Sequence, residues 1–213
     1  MPLYKTITVS PTTSVYIWKV TELEEELSKD VVLTDHCANR MNSMKSEFHR
    51  RAFLSIRHLM KEADYVDHDL YYDDFGKPHL HDGNHISITH SHNFTGIIVS
   101  STDEVGIDIE MQRDKILRIA NKFTPLEEYR TLANTEAIIR KLTIVWGAKE
   151  SLYKIYAQQG LSFLKHIDVM DFAFDDKRTV AKITHQGNKS HYGIEFLEFE
   201  GFTCVFAQKM MGR

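Results

Sequence analysis

The chain has 213 residues, 42% of them apolar and 26% charged, with a formal net charge of −4. That length accommodates one large domain or two small ones with a proper core, the composition is that of an ordinary globular protein, and the acidic balance argues against a nucleic-acid partner. No apolar run approaches the ~18–20 residues needed to cross a bilayer, and the start Met1-Pro2-Leu3-Tyr4-Lys5-Thr6 lacks the basic-then-apolar pattern of a signal peptide, so a cytoplasmic protein without membrane contact is the expectation.

In chain order, Leu3 to Val20 mixes Thr, Val, Ile, Tyr and Trp and reads as strand material. Thr21 then opens a helix as its cap, with Glu24 at the capping-box position. The two cysteines, Cys37 and Cys204, are far apart in the chain, which excludes a cysteine zinc site and reads as two buried thiols. From Arg40 to Arg57 the bases Arg40, Lys45, Arg50, Arg51 and Arg57 face a single acid, Glu47. Such an island is either a solvated helix face or a place for a polyanionic small molecule. Phe48, Ala52, Ile56 and Leu59 recur at helical spacing, so a helix is predicted over 44–62.

Tyr72-Asp73-Asp74-Phe75-Gly76-Lys77-Pro78 is turn chemistry, since Pro lacks a donor and restricts the residue before it. Strands are predicted at 85–89, 95–100 and 105–110. Short helices follow at 116–120 and 125–132, and a long helix at 134–159 stops near Gly160. Four β-like runs close the chain, at 166–174, 179–184, 192–199 and 202–208. Strand, helices, then strands occur twice in this order, which implies two similar α+β units, 1–103 and 104–213.

Three constellations carry chemistry. In Gly106-Ile107-Asp108-Ile109-Glu110, strand alternation puts both isoleucines on one face and both acids on the other, about 6.5–7 Å apart at Cα. The pair reads either as the solvated face of an edge strand or as ligands for a hard cation such as Mg²⁺, which takes one or two carboxylates plus phosphate oxygens and water. In Trp146-Gly147-Ala148-Lys149-Glu150-Ser151-Leu152-Tyr153-Lys154, residues Trp146, Glu150 and Lys154 share one helix stripe. A Glu–Lys pair at that spacing is also a common helix stabiliser worth only about 0.2–0.5 kcal/mol. Gly76-Lys77-Pro78 with Ile88-Thr89-His90-Ser91 sets a cation and several donors at one sheet edge, which suits a phosphate or is turn chemistry beside a satisfied histidine.

In this order and at these spacings, the segments resemble the 4'-phosphopantetheinyl transferase superfamily, of the monomeric two-subdomain type that serves carrier proteins of fatty-acid, polyketide or peptide synthases. The resemblance implies two pseudo-symmetric α+β subdomains with the active-site cleft between them. It implies Mg²⁺-dependent transfer of 4'-phosphopantetheine from coenzyme A to a serine of an apo carrier protein, releasing 3',5'-adenosine bisphosphate. Carried over by position, Asp108, Glu110 and Glu150 hold the metal, and Lys154 contacts the pyrophosphate. Lys77, His90 and Arg50 meet the 3'-phosphate and adenine end, with Arg51 the neighbouring alternative, and Pro78, Thr89 and Lys149 join the coenzyme A contacts. Glu150 is the expected base and Lys154, together with Lys149, the expected stabiliser of the leaving phosphate. An alternative rests on His79, His81, His85, His90 and His92, five imidazoles in fourteen positions, and makes the chain a histidine-rich divalent-metal protein.

Overall fold

The computed structural model describes residues 3–125 and 134–210. It is an α+β protein whose chain divides into two compact units, Met1–Asp103 and Glu104–Arg213. Among the described residues no helix is long and apolar enough to cross a membrane.

In the first unit β1 (Leu3–Ser10) and β2 (Thr13–Lys19) form a hairpin, so the single predicted stretch is two strands. They continue into a four-stranded antiparallel sheet of order β1-β2-β6-β5. The two-stranded ribbon β3 (Leu70–Tyr72) and β4 (Pro78–Leu80) flanks β5 (His85–Ser91), which turns into β6 (Phe94–Ser100). Three helices lie between the hairpin and the ribbon: α1 (Glu24–Ser28), α2 (Asp35–Ser43) and α3 (Glu47–Glu62). The cap of α1 is Leu23 rather than Thr21, with the Glu26 carboxylate accepting from the Leu23 amide. Ser46 caps α3 by accepting from the His49 amide, and α3 buries Leu54, Ile56, Leu59 and Met60 with Trp18, Ile86 and Ile97 of the sheet. Helix α2 escaped the periodicity because Cys37 is its one buried side chain; Thr34 starts it by accepting from the Cys37 amide.

One buried carboxylate ties these helices together. Asp67 accepts from the Thr34 amide (2.8 Å) and hydroxyl (3.0 Å), and its other oxygen takes Arg57 Nε at 2.8 Å. The same guanidinium donates to the Phe53 carbonyl and to Cys37 Sγ, and its carbon lies 3.5 Å from the Phe53 ring centre. Arg57 of the basic island is therefore an internal structural cation.

The second unit is a five-stranded antiparallel sheet of order β7-β11-β10-β9-β8. Its strands are β7 (Val105–Met111), β8 (Ile167–Val169), β9 (Arg178–His185), β10 (Asn188–Phe199) and β11 (Phe202–Lys209). The predicted run 166–174 narrows to β8, preceded by the single turn α6 (Phe163–His166). Helix α4 (Lys115–Ile119) precedes the predicted helix at 125–132, which lies outside the described residues apart from Pro125. The long helix α5 (Thr135–Tyr156) is capped by Asn134 and ends at Ala157, whose φ of 47° breaks the helix before Gly160 can.

Helix α5 packs along β7 and β11, and Leu142, Val145, Ala148, Leu152 and Ile155 meet Ile183, Ile194, Phe196, Val205 and Ala207 in one core. Each of these side chains larger than alanine contributes about 1.5–3 kcal/mol by leaving water. Two glycines set how close helix and strand come. A Cβ on Gly106 would lie 2.0 Å from the Ser151 carbonyl oxygen, and one on Gly147 would lie 2.7 Å from Val205 Cγ2.

Gly106→Ala is expected to cost about 3 kcal/mol or more, beyond ordinary overpacking because the obstruction is helix backbone. At roughly 2–4 °C per kcal/mol this lowers Tm by about 6–12 °C, and an unchanged melting curve would show that β7 and α5 separate freely. For Asp67, burial alone would raise the carboxyl, but the Thr34 amide and the Arg57 charge outweigh it and hold the group below its ordinary value. Its contribution is thus present above the unfolded value of about 3.9 and is lost as pH falls through the folded one. Asp67→Asn is expected to cost about 3–5 kcal/mol at pH 7 and to lose less further stability than wild type on acidification, as read by urea unfolding at stepped pH. Parallel pH profiles would remove Asp67 from this role.

Candidate active site

The site begins with the alternation along β7. Ile107 and Ile109 are fully buried, while Asp108 and Glu110 emerge on the opposite face. Asp108 is only 7% exposed, so the solvated-edge reading of this strand fails for it. Because Gly106 and Gly147 let strand and helix touch, Asp108 lies beside α5: its Oδ2 would be 3.7 Å from a Cβ on Gly147.

From α5, Lys154 Nζ donates to Asp108 Oδ1 at 2.9 Å and to the Ile107 carbonyl at 2.6 Å. One turn earlier stands Glu150, partly buried, and one turn before that Trp146, whose Nε1 donates to Glu110 Oε1 at 3.4 Å. The structure thus brings one stripe of the helix onto one face of the strand.

These carboxylates feel one another. Burial, reinforced by the Asp108 charge and relieved in part by Lys154, pushes the Glu150 carboxyl up to about 7. Burial and then the Asp108 charge also raise Glu110, against the Trp146 hydrogen bond and the Arg113 and Lys154 charges. Beneath them, the Cys204 thiol is pushed up by complete burial and by Asp108, so it is inert. Three acids in one field are short of positive charge, and their donors are all hard oxygens, the set that suits Mg²⁺. Among the described residues no three His, Cys, Asp or Glu side chains already converge on one point, so the arrangement is a field of coupled acids rather than a preformed cage.

Lys149 is placed differently from the sequence expectation. It is 3% exposed, and its ammonium donates to the carbonyls of Phe123 (2.6 Å), Phe163 (2.8 Å) and Ile167 (2.7 Å). An ammonium has three N–H groups, so this one has none to offer a phosphate.

The remaining residues sit in the first unit. Arg50 holds both oxygens of Glu24 through Nε and the Met44 carbonyl through Nη1, so its guanidinium is committed to its own fold. The turn that presents Lys77 is organised by Asp73, which accepts from the Lys77 amide, and Pro78 follows at the start of β4. Thr89 is buried on β5, and His90 after it is exposed, edge-on to His49 with ring centres 6.2 Å apart. These two histidines border a cavity of about 300 Å³ whose walls include Phe53, Tyr72 and Arg40. Arg40 lies over the Tyr72 ring at 4.9 Å. The sequence marked Arg40 only as a base of the island and Tyr72 only as part of a turn, because α2 was not recognised; His49, Phe53 and Arg57, spaced by four, were the available signal for a shared wall.

The histidine-rich stretch does not converge. His79 and His81 stack on either side of Tyr71, at 5.2 and 4.7 Å, and His79 also bonds Asp73. With no metal-type cluster among the described residues, the metal-protein alternative has no observation behind it.

No curated protein matches the chain. Residues 104–207, nearly the whole second unit and all of the carboxylate site, match the family model of the 4'-phosphopantetheinyl transferase superfamily. Through this unit the chain is similar to the 4'-phosphopantetheinyl transferase superfamily.

Proposed function

We propose that the protein transfers 4'-phosphopantetheine from coenzyme A to a serine of an apo acyl or peptidyl carrier protein. The observation that carries this reading is the meeting of Asp108, Glu110, Glu150 and Lys154 on adjoining faces of β7 and α5, within the segment that matches the superfamily. Asp108, Glu110 and Glu150 would hold Mg²⁺, which when bound supplies Lewis-acid polarisation of the pyrophosphate.

The chain's own residues then act as follows. The carrier serine Oγ attacks the phosphorus that bears pantetheine, a P–O bond forms, and the bridging P–O bond breaks to release 3',5'-adenosine bisphosphate. A hydroxyl is a poor nucleophile until it loses its proton, and Glu150, on the stripe of α5 that faces β7, accepts it directly or through a water. Lys154, fixed by Asp108 and the Ile107 carbonyl, presents its charge to the oxygen that departs. In the first unit Lys77, Pro78, Thr89 and His90 would meet the adenosine end. The cavity bordered by His49 and His90 supplies aromatic walls for a base, and Arg50 would have to leave Glu24 to join them.

The test is mass spectrometry of candidate apo carriers after incubation with coenzyme A and Mg²⁺. A gain of one phosphopantetheine on a serine is the expected result, and unmodified carriers across all three synthase classes would refute the reading. Asp108→Ala should reduce labelling at least a hundredfold, about 2.7 kcal/mol, with circular dichroism unchanged; near-normal labelling would detach the acids from the chemistry. Lys154→Ala should lower turnover roughly a hundredfold at saturating coenzyme A, and turnover equal to wild type would exclude it from the mechanism.

A further inference from the structure

We propose that Lys149 is a positioning residue: held by the carbonyls of Phe123, Phe163 and Ile167, its ammonium fixes the two rings that pack on Trp146, and through Trp146 it sets where the Glu110 carboxylate lies. The inference rests on the transfer reading above for its kinetic readout only.

Each link is a contact. Lys149 Nζ sits 2.6–2.8 Å from three carbonyl oxygens on two stretches of chain: the turn after α4, and the continuous run of α6 into the first residue of β8. Burying an ammonium costs several kcal/mol unless dipoles or charges replace its water. Those three carbonyls supply that replacement and are thereby drawn to one point. Two of the three residues so held, Phe123 and Phe163, pack their rings on Trp146, with centroids 5.1 and 5.5 Å away. The indole is thereby clamped on two sides, and Nε1 points at Glu110 Oε1. Glu110 is the acid at the end of the buried part of β7, partly exposed and least confined by the strand itself, so the indole hydrogen bond is what orients it.

Lys141, two turns earlier on α5, is the internal control. It too is buried, with its ammonium on the Phe172 carbonyl and on Asp171, and neither of these contacts leads to Trp146. Loss of Lys141 costs stability without disturbing the clamp.

The experiment compares Lys149→Met, Lys149→Arg and Lys141→Met in a Trp18→Phe background, where Trp146 is the one tryptophan left. All are measured below the melting temperature of the least stable variant. Lys149→Met is expected to shift the Trp146 emission to the red in the free protein. It is also expected to raise the Mg²⁺ concentration for half-maximal labelling by about tenfold, as for loss of a residue that orients a ligand. Lys149→Arg, which keeps a cation for the carbonyls, should restore most of both, and Lys141→Met should move neither. If Lys149→Met does not accumulate as folded protein, Phe163→Leu, which removes a clamping ring and leaves the cation, should give the same two shifts. Emission and Mg²⁺ requirement equal to wild type in the folded variant, or both shifts appearing in Lys141→Met, would overturn the proposal. Failure of the background protein to label any carrier would refute the transfer reading instead, and the emission comparison would still decide the role of Lys149.

Discussion

The candidate site depends on how closely one strand approaches one helix. β7 and α5 touch at Gly106 and Gly147, where any side chain would collide with Ser151 or Val205. Interiors are packed to crystal density and transmit displacement rather than absorb it. A strand held half a side chain further out would carry Asp108 away from Lys154, and Glu150 would lose the neighbour that helps hold it protonated. The glycine two residues before the aspartate thus helps to place the acids, although it bears no functional group.

Burial of the acids follows from the same contact. Burial and the Asp108 charge raise the proton affinity of Glu110 and Glu150, and Lys154, with Arg113 beside Glu110, opposes them. The three buried or half-buried lysines of α5 divide the work between them. Lys141 closes on Asp171 and the Phe172 carbonyl, Lys149 gathers main-chain oxygens, and Lys154 faces the acids. Helical geometry explains the division, because successive lysines at positions 141, 149 and 154 are rotated onto different faces of one rod.

Much of this was legible from residue spacing. The period of two in Ile107-Asp108-Ile109-Glu110 and the period of four in Trp146, Glu150 and Lys154 each name a face, and faces are what sequence shows well. What spacing does not show is depth. Nothing in the string separates Lys149 from Lys154, five residues on in the same helix, yet one is buried among carbonyls and the other is half-buried against a carboxylate. Helix α2 was invisible for a related reason: with Cys37 alone turned inward, it carries no apolar stripe to count. The end of α5 was misread because a left-handed residue at Ala157 ends the helix where glycine, the usual choice, stands three residues later.

The basic island shows the difference between formal charge and the field that reaches solvent. Glu24 and Asp67 each match one of its arginines at 2.8 Å, and Arg40 lies over the Tyr72 ring. Far fewer field lines leave this surface than five cations suggest. An anionic ligand meeting this surface would be held by short-range stacking and fitted donors, weakly sensitive to ionic strength, rather than by long-range steering through water.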